Sequence, residues 1–210
     1  MRLLAFIIVI LIVVSTTSYA QTPTEPQIWT FETDRTGVTA VGFIPYVGKW
    51  QIRVTEKAPS GDHVLAQLME NSGSSYNIVL IDGSHFQKVD LSVKMKSVAG
   101  HVDQGGGLVW RAKDENNYYI ARYNPLEQNF RVYKVVEGKR RKLGSAHIKR
   151  MPGWHDVRVT MEGAHIMCYY DGNLFLDVQD YTFEGPGQIG LWTKADAQTY
   201  FDDLTVNFNK

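Results

Sequence analysis

The sequence predicts an all-β protein, with two antiparallel sheets closed into a sandwich or barrel. Three observations predict it. Strict apolar/polar alternation runs through several segments, most cleanly from Val89 to Lys96. Glycine-bearing dipeptides (Asp82-Gly83, Glu137-Gly138, Glu162-Gly163 and Asp171-Gly172) sit between apolar runs, where hairpins need them. No segment beyond residue 20 keeps a 3.6-residue period over twelve positions.

The first twenty residues form a separate unit. Arg2 is followed by twelve unbroken apolar residues, Leu3 to Val14, and Ser18-Tyr19-Ala20 places small residues before Gln21. This is the pattern of a secretory signal with its cleavage site. Twelve helical residues would span roughly 18 Å, short of the ~30 Å hydrocarbon core. The expectation is a secreted or periplasmic protein with no stable membrane span once the leader is removed. Residues 21–27 read as a polar linker, and 28–210 as one domain. Cys168 is the only cysteine, so no internal disulfide can staple the fold; its apolar run reads as a buried thiol. Lys+Arg and Asp+Glu both number 22, which removes the main electrostatic case for nucleic acid as a partner.

Along the domain, Lys49–Val54 and Val157–Met161 alternate as half-buried strands do, and Tyr76–Ile81 is a short apolar run. Val64–Met69 is too short to assign by periodicity. If Ala112–Asn117 is a connection, Arg111 pairs with Tyr118, Trp110 with Tyr119, Val109 with Ile120 and Gly107 with Arg122. One face then carries Arg111, Tyr118, Ile120 and Arg122, and the other Leu108, Trp110, Tyr119, Ala121 and Tyr123. Both faces are partly apolar, so this hairpin is expected in the middle of its sheet.

From Gly105 to Leu143 the chain reads GGGLVWRAKDENNYYIARYNPLEQNFRVYKVVEGKRRKL. Gly153-Trp154-His155-Asp156, the turn Tyr170-Asp171-Gly172-Asn173 and GQIGLWTKADAQTYFDDLTV from Gly187 follow. These stretches resemble the bacterial 3-keto-disaccharide hydrolase-type domain, a concanavalin A-like and laminin-G-like jelly roll. The resemblance implies a curved sheet whose concave face or rim loops meet sugars. Some relatives are classed with glycoside hydrolase family 16.

Family-16 chemistry needs Glu-x-Asp-x-x-Glu on a central strand, supplying a nucleophile and an acid/base. The nearest match, Glu32-Thr33-Asp34-Arg35-Thr36-Gly37, lacks the third carboxylate and lies at the N-terminal edge, so both acids read as solvated loop residues. A 3-keto sugar has an acidic proton beside its carbonyl and could be cleaved by elimination with one base. Glu127 is the candidate.

Arg111, Tyr118, Arg122 and Asn124 are candidate ligand residues, because guanidiniums and a phenol grip sugar hydroxyls or an acidic sugar. Arg122 could instead pair with Glu127 and order the 124–129 loop. Gly105-Gly106-Gly107 would admit a close approach to the backbone. Trp192 and Lys194 share a strand face, where Trp192 is either a stacking platform or core. Trp50 and Trp154 read as core. Asp202 falls on the apolar side of the last strand, so it needs a hydrogen-bonding turn or a structural Ca²⁺, unless a bulge changes the parity. None of the six histidines forms a zinc-type pair. Lys139-Arg140-Arg141-Lys142 reads as a solvated hairpin tip, or else a polyanion patch.

The preferred expectation is an exported module that binds carbohydrate (a glycan or modified disaccharide) without cleaving it. The alternatives are a hydrolase of 3-keto-glycosides, and a structural or adhesion module that contacts protein.

Overall fold

The computed structural model describes residues 25–208, so the expected leader and residues 21–24 of the expected linker lie outside the described residues. In chain order the strands are β1 (Gln27–Trp29), β2 (Phe43–Val47), β3 (Trp50–Val54), β4 (His63–Gln67), β5 (Tyr76–Ile81), β6 (Val89–Ala99), β7 (Gly106–Asp114) and β8 (Asn117–Asn124). They continue with β9 (Asn129–Val136), β10 (Lys139–His147), β11 (His155–Glu162), β12 (His165–Tyr170), β13 (Asn173–Gln179), β14 (Gln188–Lys194) and β15 (Gln198–Val206). No helix occurs among the described residues.

The strands form two antiparallel sheets. One has the order β13-β12-β11-β6-β15-β4-β3, with β1 also pairing β15; the other is β10-β9-β8-β7-β14-β5-β2. Successive strands often lie in different sheets, as in a jelly-roll sandwich. The interior between the sheets is built from alternate positions on both. Leu91, Val93, Val157, Val159 and Ile166 come from one sheet, and Leu108, Trp110, Tyr119, Val132 and Leu191 from the other. Trp110 stacks on Tyr119 with ring centroids 5.6 Å apart. Each such side chain contributes roughly 1.5–3 kcal/mol by leaving water. Cys168 is buried in this core as a free thiol, and burial pushes its pKa up.

Local turn chemistry places two hairpins where the sequence predicts them. Glu137-Gly138 and Asp171-Gly172 have positive φ at both positions (50° and 72°, 47° and 76°), which matches the right-handed twist of the flanking strands. Two expectations shift. β11 runs through Glu162, so the turn beyond it is Gly163-Ala164. Asp82-Gly83 does not close a hairpin, because β5 and β6 belong to different sheets and the segment crosses between them. Val64–Met69 resolves as strand β4, which ends at Gln67.

The glycine triplet serves strand packing. A Cβ on Gly107 would run into the Ala121 carbonyl, one on Gly106 into the Trp192 carbonyl and one on Gly105 into the Tyr123 carbonyl. The group that approaches this backbone closely is therefore the neighbouring strand. Gly107→Ala should lower stability by about 3 kcal/mol or more, because main-chain atoms on both strands must move. A thermal melt within about 2 °C of the parent would sink that explanation.

Candidate functional site

The hairpin β7–β8 sits centrally in the seven-stranded sheet, with Gly107 opposite Arg122, Val109 opposite Ile120 and Trp110 opposite Tyr119. The expected two-faced character holds: Leu108, Trp110, Tyr119, Ala121 and Tyr123 face the interior between the sheets. Val109, Tyr118 and Ile120 face the other way, outward from the sandwich.

Ile78, Leu80, Ala112, Tyr133, Val135 and Trp192 join them on that outer face. Among the described residues no strand crosses it, yet Tyr118 and Trp192 are 0% exposed. Neighbouring side chains shelter them, Arg140 and Tyr76 among those that lie over this face. Trp192 Nε1 donates to Tyr118 Oη at 3.1 Å, and Tyr76 lies 5.5 Å from the indole. Burial pushes the Tyr118 phenol well up, so it stays a neutral hydroxyl. Arg140, on β10, reaches across this floor with its guanidinium 4.4 Å from the Tyr133 ring centroid, 5.4 Å from Tyr76 and 5.8 Å from Trp192.

One end of the face carries an ionic network. Arg122, 1% exposed, donates to Glu127 at 3.1 Å and reaches buried Asp103 at 3.5 Å. Asp103 also receives Asn124 Nδ2 at 2.8 Å and the Gln104 amide at 3.0 Å, with Lys194 Nζ at 3.4 Å. Burial raises the Asp103 pKa, against the pull of Arg122 and Lys194. Glu127 is shared by Arg122, Arg131 at 2.8 Å and Asn129 at 2.9 Å. Partial burial would raise its pKa, but the Asn129 hydrogen bond and the two guanidiniums outweigh that and hold it below the usual range. Such a carboxylate is a poor general base.

The structure moves several sequence-based assignments. Arg111 leaves the face it was expected to share with Tyr118. One extra residue bulges β7 here, Arg111 takes φ 47°, and Ala112 turns to the side of Val109. The Arg111 guanidinium instead donates to the carbonyls of Phe183 and Gln87 at 2.7 and 2.9 Å. The β7–β8 connection is also shorter than expected, because β7 extends to Asp114 and β8 begins at Asn117. Trp192 is floor, with no ring face open to a ligand. Asn124 is fully buried; its Oδ1 accepts the Leu126 and Glu127 amides and shapes the loop. Arg122 pairs with Glu127, as the loop-ordering alternative required. Lys194 stays on the outer face, partly open.

Asp202 is buried, but not by the core. A bulge at Asp203 (φ 48°) lets Phe201 and Leu204 both face inward, which cancels the parity and puts Asp202 on the other side. Its carboxylate accepts the Ser60 amide at 2.9 Å, the Ser60 hydroxyl at 3.1 Å and the Asp203 amide at 2.7 Å. Those are hydrogen-bond donors, the surroundings of an anion held by a turn and unlike the oxygen cage a calcium ion takes. Glu32 and Asp34 lie in a loop, as expected, and both are engaged there: Glu32 accepts the His63 amide and Asp34 the Val41 amide. Trp50 is core, whereas Trp154 is only half-buried and donates to the Lys57 carbonyl. Arg140 lies over aromatic rings, where a solvated tip was expected.

Sequence reading misses Asp103, Tyr76, Arg131 and Tyr133. Arg131 and Tyr133 carry a usable signal, because alternation on β9 brings Arg131 opposite Arg122 and Tyr133 opposite Ile120. Asp103 carries none, being placed by a loop whose amides at residues 101–103 bind Asp196. A separate groove of about 450 Å³ lies on the outer face of the eight-stranded sheet. Its Arg158 is already locked on Asp90 at 2.7 and 2.9 Å, so these two polar groups satisfy each other.

No family model matches the chain, and no curated protein matches it. Among solved structures it is similar to carbohydrate-binding module CBM66 from Bacillus subtilis, at 19% identity over 81% of this chain and 96% of that one, TM-score 0.66. It is similar to a β-glucanase of Bacillus licheniformis at 14% identity over 90% and 100%, TM-score 0.59. A Bacillus subtilis protein of unknown function with a galectin-like fold matches at 10% identity over 79% and 88%, TM-score 0.57. The fold is thus the two-sheet jelly-roll sandwich these structures share.

Asp103→Ala strips a buried guanidinium of one counter-charge and should cost about 3–5 kcal/mol in chemical denaturation. A loss under about 1 kcal/mol, the range of an exposed ion pair, would refute the network. Asp202 is pushed up to about 6 by burial, partly offset by the amides of Ser60 and Asp203. An unfolded Asp titrates near ~3.9. The native state therefore binds more protons between about pH 4 and 6, and this group's contribution is lost as pH rises through that window. Asp202→Asn should flatten the fall in urea stability between about pH 4 and 7; parallel profiles for the two proteins would contradict the assignment.

Proposed function

We propose that this chain is an exported carbohydrate-binding module whose ligand lies on the outer face of the seven-stranded sheet. The observation that carries the reading is the outward aromatic floor, with half-open Tyr76 and Arg140 upon it and Arg131, Lys194 and Glu127 at its rim. A face with an apolar floor and a few fixed polar groups suits a saccharide, which offers C–H faces and hydroxyls together. Ile44 and Val47, more than a third exposed, extend it at the β2 edge. The solved carbohydrate-binding module of the same fold supports the reading, and the leader pattern supports export.

Binding without cleavage is favoured because Glu127, the candidate base, is clamped as an ion by three donors. The resemblance to 3-keto-disaccharide hydrolases makes turnover of such glycosides the reading to test against it. Glycan-array and calorimetric screening should find a saccharide ligand, and Tyr76→Ala or Arg131→Ala should weaken it about tenfold with little change in melting temperature. Turnover of a 3-keto-disaccharide that Glu127→Gln abolishes would establish the hydrolase instead. Capture of a protein partner with no saccharide bound would point to an adhesion module.

A further inference from the structure

We infer that the saccharide this face accepts carries a carboxylate, as a uronic acid does, and that Arg140 is the residue that reads it. This rests on the binding proposal above and adds the ligand's chemical class.

The first observation is charge. The register places Arg122, Arg131, Arg140, Lys142 and Lys194 on the outer face, because their cross-strand partners or i±2 neighbours belong to the floor. Asp103 and Glu127 are the carboxylates bound into that group. A chain of zero formal charge thus gathers an excess of cations on one outer face.

The second observation is that both carboxylates are occupied. Asp103 is held by Arg122, Lys194, Asn124 and the Gln104 amide, and Glu127 by Arg122, Arg131 and Asn129. Neither reaches Arg140. Among the described residues no carboxylate lies within 4 Å of that guanidinium.

The third is the state of Arg140 itself. Its Nη1 is buried and has no hydrogen-bond partner; Arg111 and Arg122 each bury an unpartnered Nε as well, but of these three arginines Arg140 alone is partly exposed, so its guanidinium is the one within a ligand's reach. The rings of Tyr133, Tyr76 and Trp192 answer its positive charge through their π-faces. They do not supply an acceptor in the guanidinium plane, and a buried N–H left without one is costly. The planar fork of arginine is matched by a carboxylate, whose two oxygens can take two parallel hydrogen bonds. Rigidity supports the same role. Arg140 is the second residue beyond the two-residue turn Glu137-Gly138 and pairs with Val135, so its backbone is set before any ligand arrives. Half-open Tyr76 beside it offers a ring on which a sugar C–H face can rest.

The test is isothermal titration of the purified protein with a panel of oligosaccharides: oligogalacturonate, glucuronoxylan fragments and oligoalginate, the methyl ester of whichever binds, neutral gluco- and manno-oligosaccharides, and a sulfated oligosaccharide. At least one uronate should bind about tenfold or more tighter than its own methyl ester, and more weakly as salt rises. Arg140→Lys keeps the charge and loses the fork; it should erase most of the preference for free acid over ester. Melting temperatures of Arg140→Lys and Arg140→Ala separate lost recognition from lost folding, and the lysine variant carries the test if the alanine variant does not fold. Equal binding of acid, ester and neutral sugars, unchanged in Arg140→Lys, would overturn the inference and leave the binding proposal standing. Preference for the sulfated ligand over every uronate would also overturn it. Binding of no saccharide of any charge would bring down the binding proposal itself.

Discussion

A guanidinium buried to 1% exposure has to be compensated, and Arg122 draws Asp103 and Glu127 to itself from two separate loops. Removing such charges from water costs several kcal/mol per ion, so the arrangement persists only if its charges are paired; Arg122 Nε and Asn129 Oδ1 nevertheless stay buried without a partner. That requirement shapes the neighbourhood. Asn124 folds the 124–127 turn by accepting two amides, Asp196 gathers the amides of residues 101–103, and Lys194 comes in from β14. The network ties β8, β14 and two loops at one end of the outer face.

The rest of that face answers a different constraint. A two-layer sandwich has no third layer to cover an outward apolar stripe, so its side chains must cover each other. Trp192, Tyr118 and Tyr133 do so across three strands, with the indole N–H satisfied by the Tyr118 hydroxyl. Arg140 completes the cover. Its stem packs over apolar surface as long cationic side chains commonly do, while its charge sits on the rings. The result is a covered floor with few exposed groups. The Glu127 carboxylate at its rim is stabilised as an anion and so resists taking a proton.

Much of the fold is legible in the residue pattern. Alternation identifies β6 and β11, and the turns at Glu137-Gly138 and Asp171-Gly172 stand where expected, because these signals act over two to eight residues. The register of β7 and β8 is also readable as far as Trp110. It fails at Arg111, where a bulge adds one residue and turns the following side chains over. A second bulge, at Asp203, does the same to Asp202. Period-2 reading carries no mark for an inserted residue, so each bulge reverses the inference beyond it.

The order of residues is enough to make the chain β throughout its domain, to deny it the cysteines for a staple, and to mark Arg122, Glu127, Trp192 and Lys194 as members of a distinctive region. Which of them are open to solvent emerges only when the strands are assembled. Trp192 becomes floor and Arg122 a buried tie, while Tyr76, Arg131 and Arg140 become the open surface. The physical reason is that exposure on a sheet face depends on what neighbouring strands bring across it. Those neighbours, Tyr76, Tyr133, Arg140 and Trp192, come from β5, β9, β10 and β14, which are spread from residue 76 to residue 194 of the chain.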